Sequence, residues 1–304
     1  MIYDIIIIGA GPAGLTAAIY AERSNKEVLV LEANTYGGQI VTTSDIENYP
    51  AAPHISGYDF ATNIYNQAIE LGAEVKFEKA VDIEDGKIKK VITEKNIYEA
   101  KTIIIATGAD NRKLGLDNED ELIGKGVSYC ATCDGAFYKG KDVAVVGGGN
   151  TALEEAIYLS SIVKNVYLIH RRDEFRAEPA LVKKLKKKDN VTCIYNSNVT
   201  KLNAKDRIES IEVTDNEGNI KDLKVSGIFV AVGKIPENQN FAKLINLDES
   251  GYVIASEDCH TNVEGIFVAG DNRVKSVRQL VTATSDGAVA ATEAIKYINS
   301  KKEK

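Results

Sequence analysis

Hydrophobic positions along the chain gather into short unbroken runs, separated by helical patterns and glycine-rich turns. Residues 5–8 are consecutive isoleucines between Asp4 and Gly9. A run that is apolar at every position predicts a strand covered on both sides, the kind found in parallel sheets. Residues 15–23 follow as a helix whose Ala17, Ala18 and Ala21 are small enough to lie close on a sheet. Residues 27–32 read as a second strand that ends in an acid, Glu32. The same succession returns at residues 143–146, 153–162 and 166–169, where the last strand ends at His170. The runs 103–106 and 228–232 lead to Gly108 and Gly233, and 266–269 leads into Gly270-Asp271 ahead of a helical stretch at 285–298. Strands alternating with helices predict an α/β chain built on parallel sheets.

The turns between strand and helix carry chemistry. The first is Gly9-x-Gly11-x-x-Gly14; the second is Gly147-x-Gly149-x-x-Ala152, with Asn150 and Thr151 inside it and alanine in the third glycine place. The glycines and the strand-end residues are displaced by the same 138 residues, so the two copies are one repeat. Glycine lets the backbone approach a pyrophosphate, and the helix N-terminus offers free N–H groups and partial positive charge. An acid at the second strand end accepts from ribose hydroxyls. Glu32 therefore suits FAD or NAD. At the equivalent place the second copy has His170-Arg171-Arg172, with Arg176 close behind. Guanidinium groups bind a 2′-phosphate that an acid would repel, which points to NADPH. Asp271, at a strand end, suits the ribityl hydroxyls of a flavin. With connectors at 111–119 and 233–240, the second nucleotide domain is expected inside the first: residues 1–112 and 241–304 for FAD, 113–240 for NADPH.

Composition narrows the rest. A length of 304 residues suggests about two domains. The net charge of −7 argues against a general nucleic-acid binder, and Lys183, Lys184, Lys186, Lys187 and Lys188 read as the solvated face of a helix end. No apolar run approaches the ~20 residues of a membrane span, and no basic, apolar leader pattern precedes Ile5, so a cytoplasmic protein is expected. The cysteines are Cys130, Cys133, Cys193 and Cys259. Cys130-x-x-Cys133 supplies an attacking and a resolving sulfur at close spacing, as thiol–disulfide exchange requires. Zinc is the rival reading, but it takes about four ligands; there is no second C-x-x-C, and His54, His170 and His260 are scattered. No metal is expected. Cys193 and Cys259 read as buried small hydrophobes.

These residues resemble the low-molecular-weight, bacterial-type thioredoxin reductases over essentially the whole chain. The resemblance is carried by residues 9–14, Gly37-Gly38-Gln39, Glu47-Asn48-Tyr49-Pro50, Ala106-Thr107-Gly108, Cys130-Ala131-Thr132-Cys133-Asp134-Gly135, residues 147–155, His170-Arg171-Arg172-Asp173, Phe175-Arg176-Ala177, Gly270-Asp271 and Arg278-Gln279. The Cys-Ala-Thr-Cys-Asp segment is the most specific of these. The resemblance implies two Rossmann-like domains, one FAD and one NADPH per subunit, a homodimer, and thioredoxin or a similar small dithiol protein as partner. It places Gly9, Gly11, Gly14, Glu32, Gly38, Gln39, Asn48, Asp271, Arg278 and Gln279 on FAD. It places Gly147, Gly149, Asn150, Thr151, His170, Arg171, Arg172 and Arg176 on NADPH. It further implies that Cys133 faces the flavin, Cys130 attacks the partner, Asp134 is the acid, and the inserted domain rotates on its connectors. One departure is Val277, where many members carry Tyr before the Arg-Gln pair. A ferredoxin-linked reductase or a dithiol oxidase of the same fold is the alternative activity, and a non-catalytic flavin module is the alternative class. An extra N-terminal redox domain of the peroxiredoxin-reductase type is not expected, since the fingerprint begins at residue 9.

Overall fold

The computed structural model describes residues 1–43, 45–52 and 54–302. The chain divides into two compact units, Met1–Asp110 with Ile235–Lys304, and Asn111–Lys234.

The first unit begins with β1 (Ile2–Ile8), α1 (Pro12–Glu22) and β2 (Val28–Glu32), then α2 (Gly57–Leu71), β3 (Glu74–Phe77), β4 (Ala80–Glu84), β5 (Lys89–Thr93) and β6 (Ile97–Ile105). Strands β3, β2, β1 and β6 lie side by side in parallel, and β5 and β4 extend the sheet antiparallel beyond β6. The four isoleucines of β1 are buried on both faces, as their pattern requires. Ile5 and Ile7 pack toward α1, whereas Ile6 and Ile8 pack with Phe241, Ile245 and Val253 on the opposite face.

The chain leaves through β7 (Ala109–Asn111) and builds the second unit. This unit has β8 (Val127–Ser128), α3 (Ala131–Asp134), β9 (Asp142–Val146), α4 (Asn150–Leu159), β10 (Asn165–Ile169), α5 (Pro179–Leu185) and β11 (Val191–Ile194). An antiparallel layer follows, β12 (Ser197–Ala204), β13 (Ile208–Asp215) and β14 (Ile220–Lys224), and then β15 (Gly227–Val230). The parallel sheet runs in the order β11, β10, β9, β15, β8. The return strand, β16 (Lys234–Pro236), pairs with β7. The first unit is then completed by β17 (Ile266–Val268), which pairs in parallel with the end of β6, and by the long α6 (Leu280–Lys302).

The return crossing falls at residue 235, earlier than the connector pattern suggested, and Asn238 is the reason. It is fully buried in the first unit, where its amide donates to the carbonyls of Gly251 at 2.9 Å and Asn272 at 2.8 Å. Both fingerprint helices also start three residues before the expected place, at Pro12 and Asn150. The residues that spell the motif form the first helical turn. Pro12 occupies a position where a missing N–H costs nothing, and each helix is entered from an extended glycine, Gly11 or Gly149.

Candidate active site

In the first unit the three fingerprint glycines are small for different reasons. Gly9 has φ +110°, and a Cβ there would lie 2.3 Å from the Ala106 carbonyl oxygen. A Cβ on Gly14 would lie 1.9 Å from the Gly9 carbonyl oxygen, so Gly14 sets how close α1 lies to β1. A Cβ on Gly11 would meet no atom of the described residues within 4 Å. That open space, at the entrance to a helix whose first amides lack intrahelical partners, is where a pyrophosphate fits. Glu32 accepts from the amides of Ala10 at 2.8 Å and Asn34 at 2.9 Å, which fixes its carboxylate beside the glycine turn.

Two other predicted residues close on this turn, and the rest are tied down elsewhere in the same unit. A Cβ on Gly38 would lie 3.4 Å from Gly11 Cα, and one on Gly270 would lie 3.0 Å from Ala13 Cβ. The Asn48 amide donates to Gln279 Oε1 at 3.1 Å across 231 residues of chain. Gln39 donates to the Ala109 carbonyl and to Asp110. The Arg278 guanidinium lies 4.1 Å over the Tyr252 ring and donates to the Asp271 and Arg273 carbonyls. The ten residues predicted for FAD thus belong to one unit, and the open glycine turn beside the Glu32 carboxylate suits a dinucleotide with free ribose hydroxyls.

The second unit repeats this bonding, although its closing strand lies at a different offset. Gly9 N–H donates to Leu31 O at 2.8 Å, and Gly147 N–H donates to Ile169 O at 3.1 Å. Ala106 N–H reaches Ile8 O, and Ala231 N–H reaches Val146 O, each at 2.8 Å. Gly147 has φ +154°, with a Cβ position 2.4 Å from Ala231 O, and a Cβ on Gly149 would meet no atom of the described residues within 4 Å. The copies diverge at the strand end. Where Glu32 turns back onto the Ala10 amide, the His170 ring turns back onto Gly148. A Cβ on Gly148 would lie 2.0 Å from that ring, so any larger residue at the middle of the turn would displace His170. His170 is buried, its Nε2 is 2.9 Å from the Glu174 carbonyl, and burial lowers its pKa. His170 therefore shapes the loop while Arg171, Arg172 and Arg176 are exposed on it. The Arg176 amide donates to Gly148 O at 2.7 Å, and Asn150 is tied to Glu178 by two hydrogen bonds. Thr151 is exposed in the first turn of α4. This arrangement fits a dinucleotide carrying a 2′-phosphate.

Cys130 and Cys133 form a disulfide at the two ends of a turn that becomes α3. Cys130 caps this helix in an extended conformation, and the amides of Cys133 and Asp134 donate to its carbonyl. Asp134 accepts from the Ser128 hydroxyl at 2.7 Å. Burial raises its pKa, and the Ser128 bond partly offsets the rise. The side chain therefore keeps its proton to higher pH than an ordinary aspartate. Among the described residues one group, Asp45, Glu47 and His54, brings potential metal-ligand atoms within 4.8 Å of one another, and it contains neither cysteine. Cys259 is buried, whereas Cys193 is only half-buried because it sits in the outermost strand, β11, of its sheet. The lysines at 183, 184, 186 and 187 are exposed at the end of α5.

Sequence reasoning missed three supports. Ser128 escaped because serine in a strand has no distinguishing signal. Asp286 accepts from the Gly270 amide at 3.0 Å, from Arg273 at 2.8 and 2.9 Å, and from Lys275 at 2.8 Å. Burial opposes its charge, but these partners hold its pKa below the usual range. It ties down the turn that carries Asp271. Glu155, on α4, accepts from the Ala131 amide between the two cysteines at 3.4 Å.

Two dinucleotide fingerprints and a redox-active cysteine pair define a class. The chain belongs to the pyridine nucleotide-disulphide oxidoreductase family, whose model matches residues 3–287. Within it the chain is similar to several thioredoxin reductases. The chain is 43% identical to the thioredoxin reductase of Listeria innocua, covering 99% of this chain and 96% of that one. It is 45% identical to that of Peptoclostridium acidaminophilum, covering 98% of each. The crystal structure of thioredoxin reductase from Streptococcus pyogenes superposes with a TM-score of 0.94 at 42% identity, over 98% of this chain and 99% of that one. The enzyme is thus an oxidoreductase of the FAD- and NADPH-using kind. No described helix is long and apolar enough to cross a membrane.

Proposed function

We propose that this chain is an NADPH-dependent thioredoxin reductase whose first unit holds FAD and whose second unit holds NADPH. The observation that carries the reading is the Cys130–Cys133 disulfide with Asp134 beside it, in the same contiguous segment as the arginine-bearing fingerprint. Gly9, Gly11, Gly14, Glu32, Gly38, Gln39, Asn48, Asp271, Arg278 and Gln279 hold the flavin. Gly147, Gly149, Asn150 and Thr151 seat the second pyrophosphate, His170 shapes the loop, and Arg171, Arg172 and Arg176 take the 2′-phosphate. FAD, when bound, relays the two electrons of the NADPH hydride to the disulfide. Cys133 is the sulfur on the flavin side. The Cys130 thiolate attacks one sulfur of the thioredoxin disulfide, forming a mixed disulfide and releasing a thiolate that Asp134 protonates. Cys133 then attacks Cys130, re-forms the enzyme disulfide and frees the second thioredoxin thiol. The enzyme works as a homodimer, which sedimentation of the purified protein checks, and in the cytoplasm, which fractionation of the cell checks.

A coupled assay with purified thioredoxin tests the reading. Cys130→Ser and Cys133→Ser each abolish NADPH-dependent disulfide reduction while the 450 nm flavin band remains. Charged hydrogen bonds contribute ~1.5–3 kcal/mol each, so neutralising Arg171, Arg172 and Arg176 lowers kcat/KM for NADPH by roughly tenfold or more and leaves that for NADH unchanged. Turnover supported by reduced ferredoxin and not by NADPH would overturn the reading in favour of a ferredoxin-linked reductase.

A further inference from the structure

Helix α4 begins with the second fingerprint and continues beneath the cysteine pair. Ala131 is fully buried against it, in one cluster with Ala152, Leu153 and Ala156. Gly135 closes on Leu159 and Tyr158, where a Cβ would lie 3.0 and 3.2 Å from their side chains. On this apolar face stands a carboxyl, Glu155. Its Oε1 is 3.4 Å from the Ala131 amide, and its Oε2 is buried with no hydrogen-bond partner among the described residues. An acid with one buried and unbonded oxygen needs an explanation.

We propose that Glu155 is a positioning residue for the redox pair: it holds the Ala131 amide between the two cysteines, and when ionised it opposes the thiolate that reduction creates there. A thiolate at the start of a helix is stabilised by the first free amides and by the absence of nearby negative charge. Ala131 is the first residue of α3, so its amide is one of those donors. An ionised Glu155 occupies that donor and adds a like charge; a protonated Glu155 adds none. The groups facing it are Glu154 on its own helix and Lys234. Asp134, on α3, is engaged by Ser128. Burial raises Glu155 to about 7, the Ala131 amide and Lys234 act in the other direction, and Glu154 adds to the rise. The carboxyl therefore changes charge near neutral pH.

The inference rests on Cys130–Cys133 being the redox pair, but its test needs neither NADPH nor thioredoxin. The holoenzyme is equilibrated with dithiothreitol, which gives up two electrons and closes to its cyclic disulfide as the enzyme disulfide opens to two thiols. The reduced fraction is read by acid quenching and thiol labelling from pH 5.5 to 9. Glu155→Gln keeps the acceptor and removes the charge. Its equilibrium constant for reduction equals that of the native enzyme below about pH 6 and exceeds it by roughly fivefold above about pH 8, where the native carboxylate meets the thiolate. Glu155→Ala, which also gives up the acceptor, departs at least as far with the same pH dependence. Curves for the native enzyme and for Glu155→Gln that coincide, or differ by a constant factor at every pH, would overturn the proposal. A failure to reduce thioredoxin at all would instead count against the proposed activity.

Discussion

Asp134 and Ser128 show how a single hydroxyl sets the working range of an acid. Asp134 donates only while protonated, and burial extends that range upward in pH. The Ser128 hydroxyl donates to the charged form and so trims the extension. Ser128→Ala removes this bond, raises the Asp134 pKa further, and moves the alkaline limb of the kcat profile to higher pH. Asp134→Asn has no proton to give, and turnover with thioredoxin falls by roughly 10²-fold or more while flavin reduction by NADPH is unchanged. Stopped-flow and steady-state profiles from pH 6 to 9.5 check both. The same shift acts on stability. A carboxyl whose folded pKa is raised weakens folding as pH climbs above its unfolded value, and the penalty vanishes below it. Asp134→Asn should therefore melt higher than the native enzyme at pH 8, with the advantage gone near pH 3.5.

At the scale of elements, the glycine turns divide into those that clash with protein and those that face a ligand. Gly14→Ala drives a methyl into the Gly9 carbonyl at 1.9 Å, a backbone atom that cannot yield without moving α1. The cost is about 1–3 kcal/mol or more, with a lower melting temperature and a lower ratio of 450 to 280 nm absorbance. Gly11→Ala meets no atom of the described residues within 4 Å. Its melting temperature in the flavin-free protein stays at the native value, while FAD titration shows a raised Kd. Equal losses of stability in the two variants would contradict this division. Glycine spacing, apolar runs and the strand-end residues were legible in the sequence because each follows from a local rule. Helix starts were misread by three residues in both copies for a common reason: the motif was taken as a turn, and it is the first turn of the helix. The pairing of Asn48 with Gln279, and of Asp286 with the Gly270 turn, joins distant segments that no periodicity links.

For the molecule as a whole, nesting was readable from order alone, since a strand that completes the first sheet had to come from beyond the second fingerprint. The placement of the return crossing was not, because it depends on Asn238 finding carbonyl partners at Gly251 and Asn272. The first unit is discontinuous: β17 pairs with β6, and α6 closes on the core that holds α1. The second unit is one unbroken segment. Replacing residues 112–233 by a short glycine–serine loop should leave a folded protein that binds FAD, seen as a retained 450 nm band, and that NADPH no longer bleaches. Ending the chain at residue 234 should instead leave no flavin bound.

The pairing of β7 with β16 makes that surgery possible, and it also bears on descent. A segment that enters and leaves by neighbouring strands can be gained, lost or exchanged as a cassette without rethreading its host. The glycine-turn bond of the host recurs in the cassette, Gly9 to Leu31 in the one and Gly147 to Ile169 in the other. On the proposed assignment the two coenzymes are told apart where the copies differ, Glu32 at the first strand end and His170 with Arg171, Arg172 and Arg176 at the second.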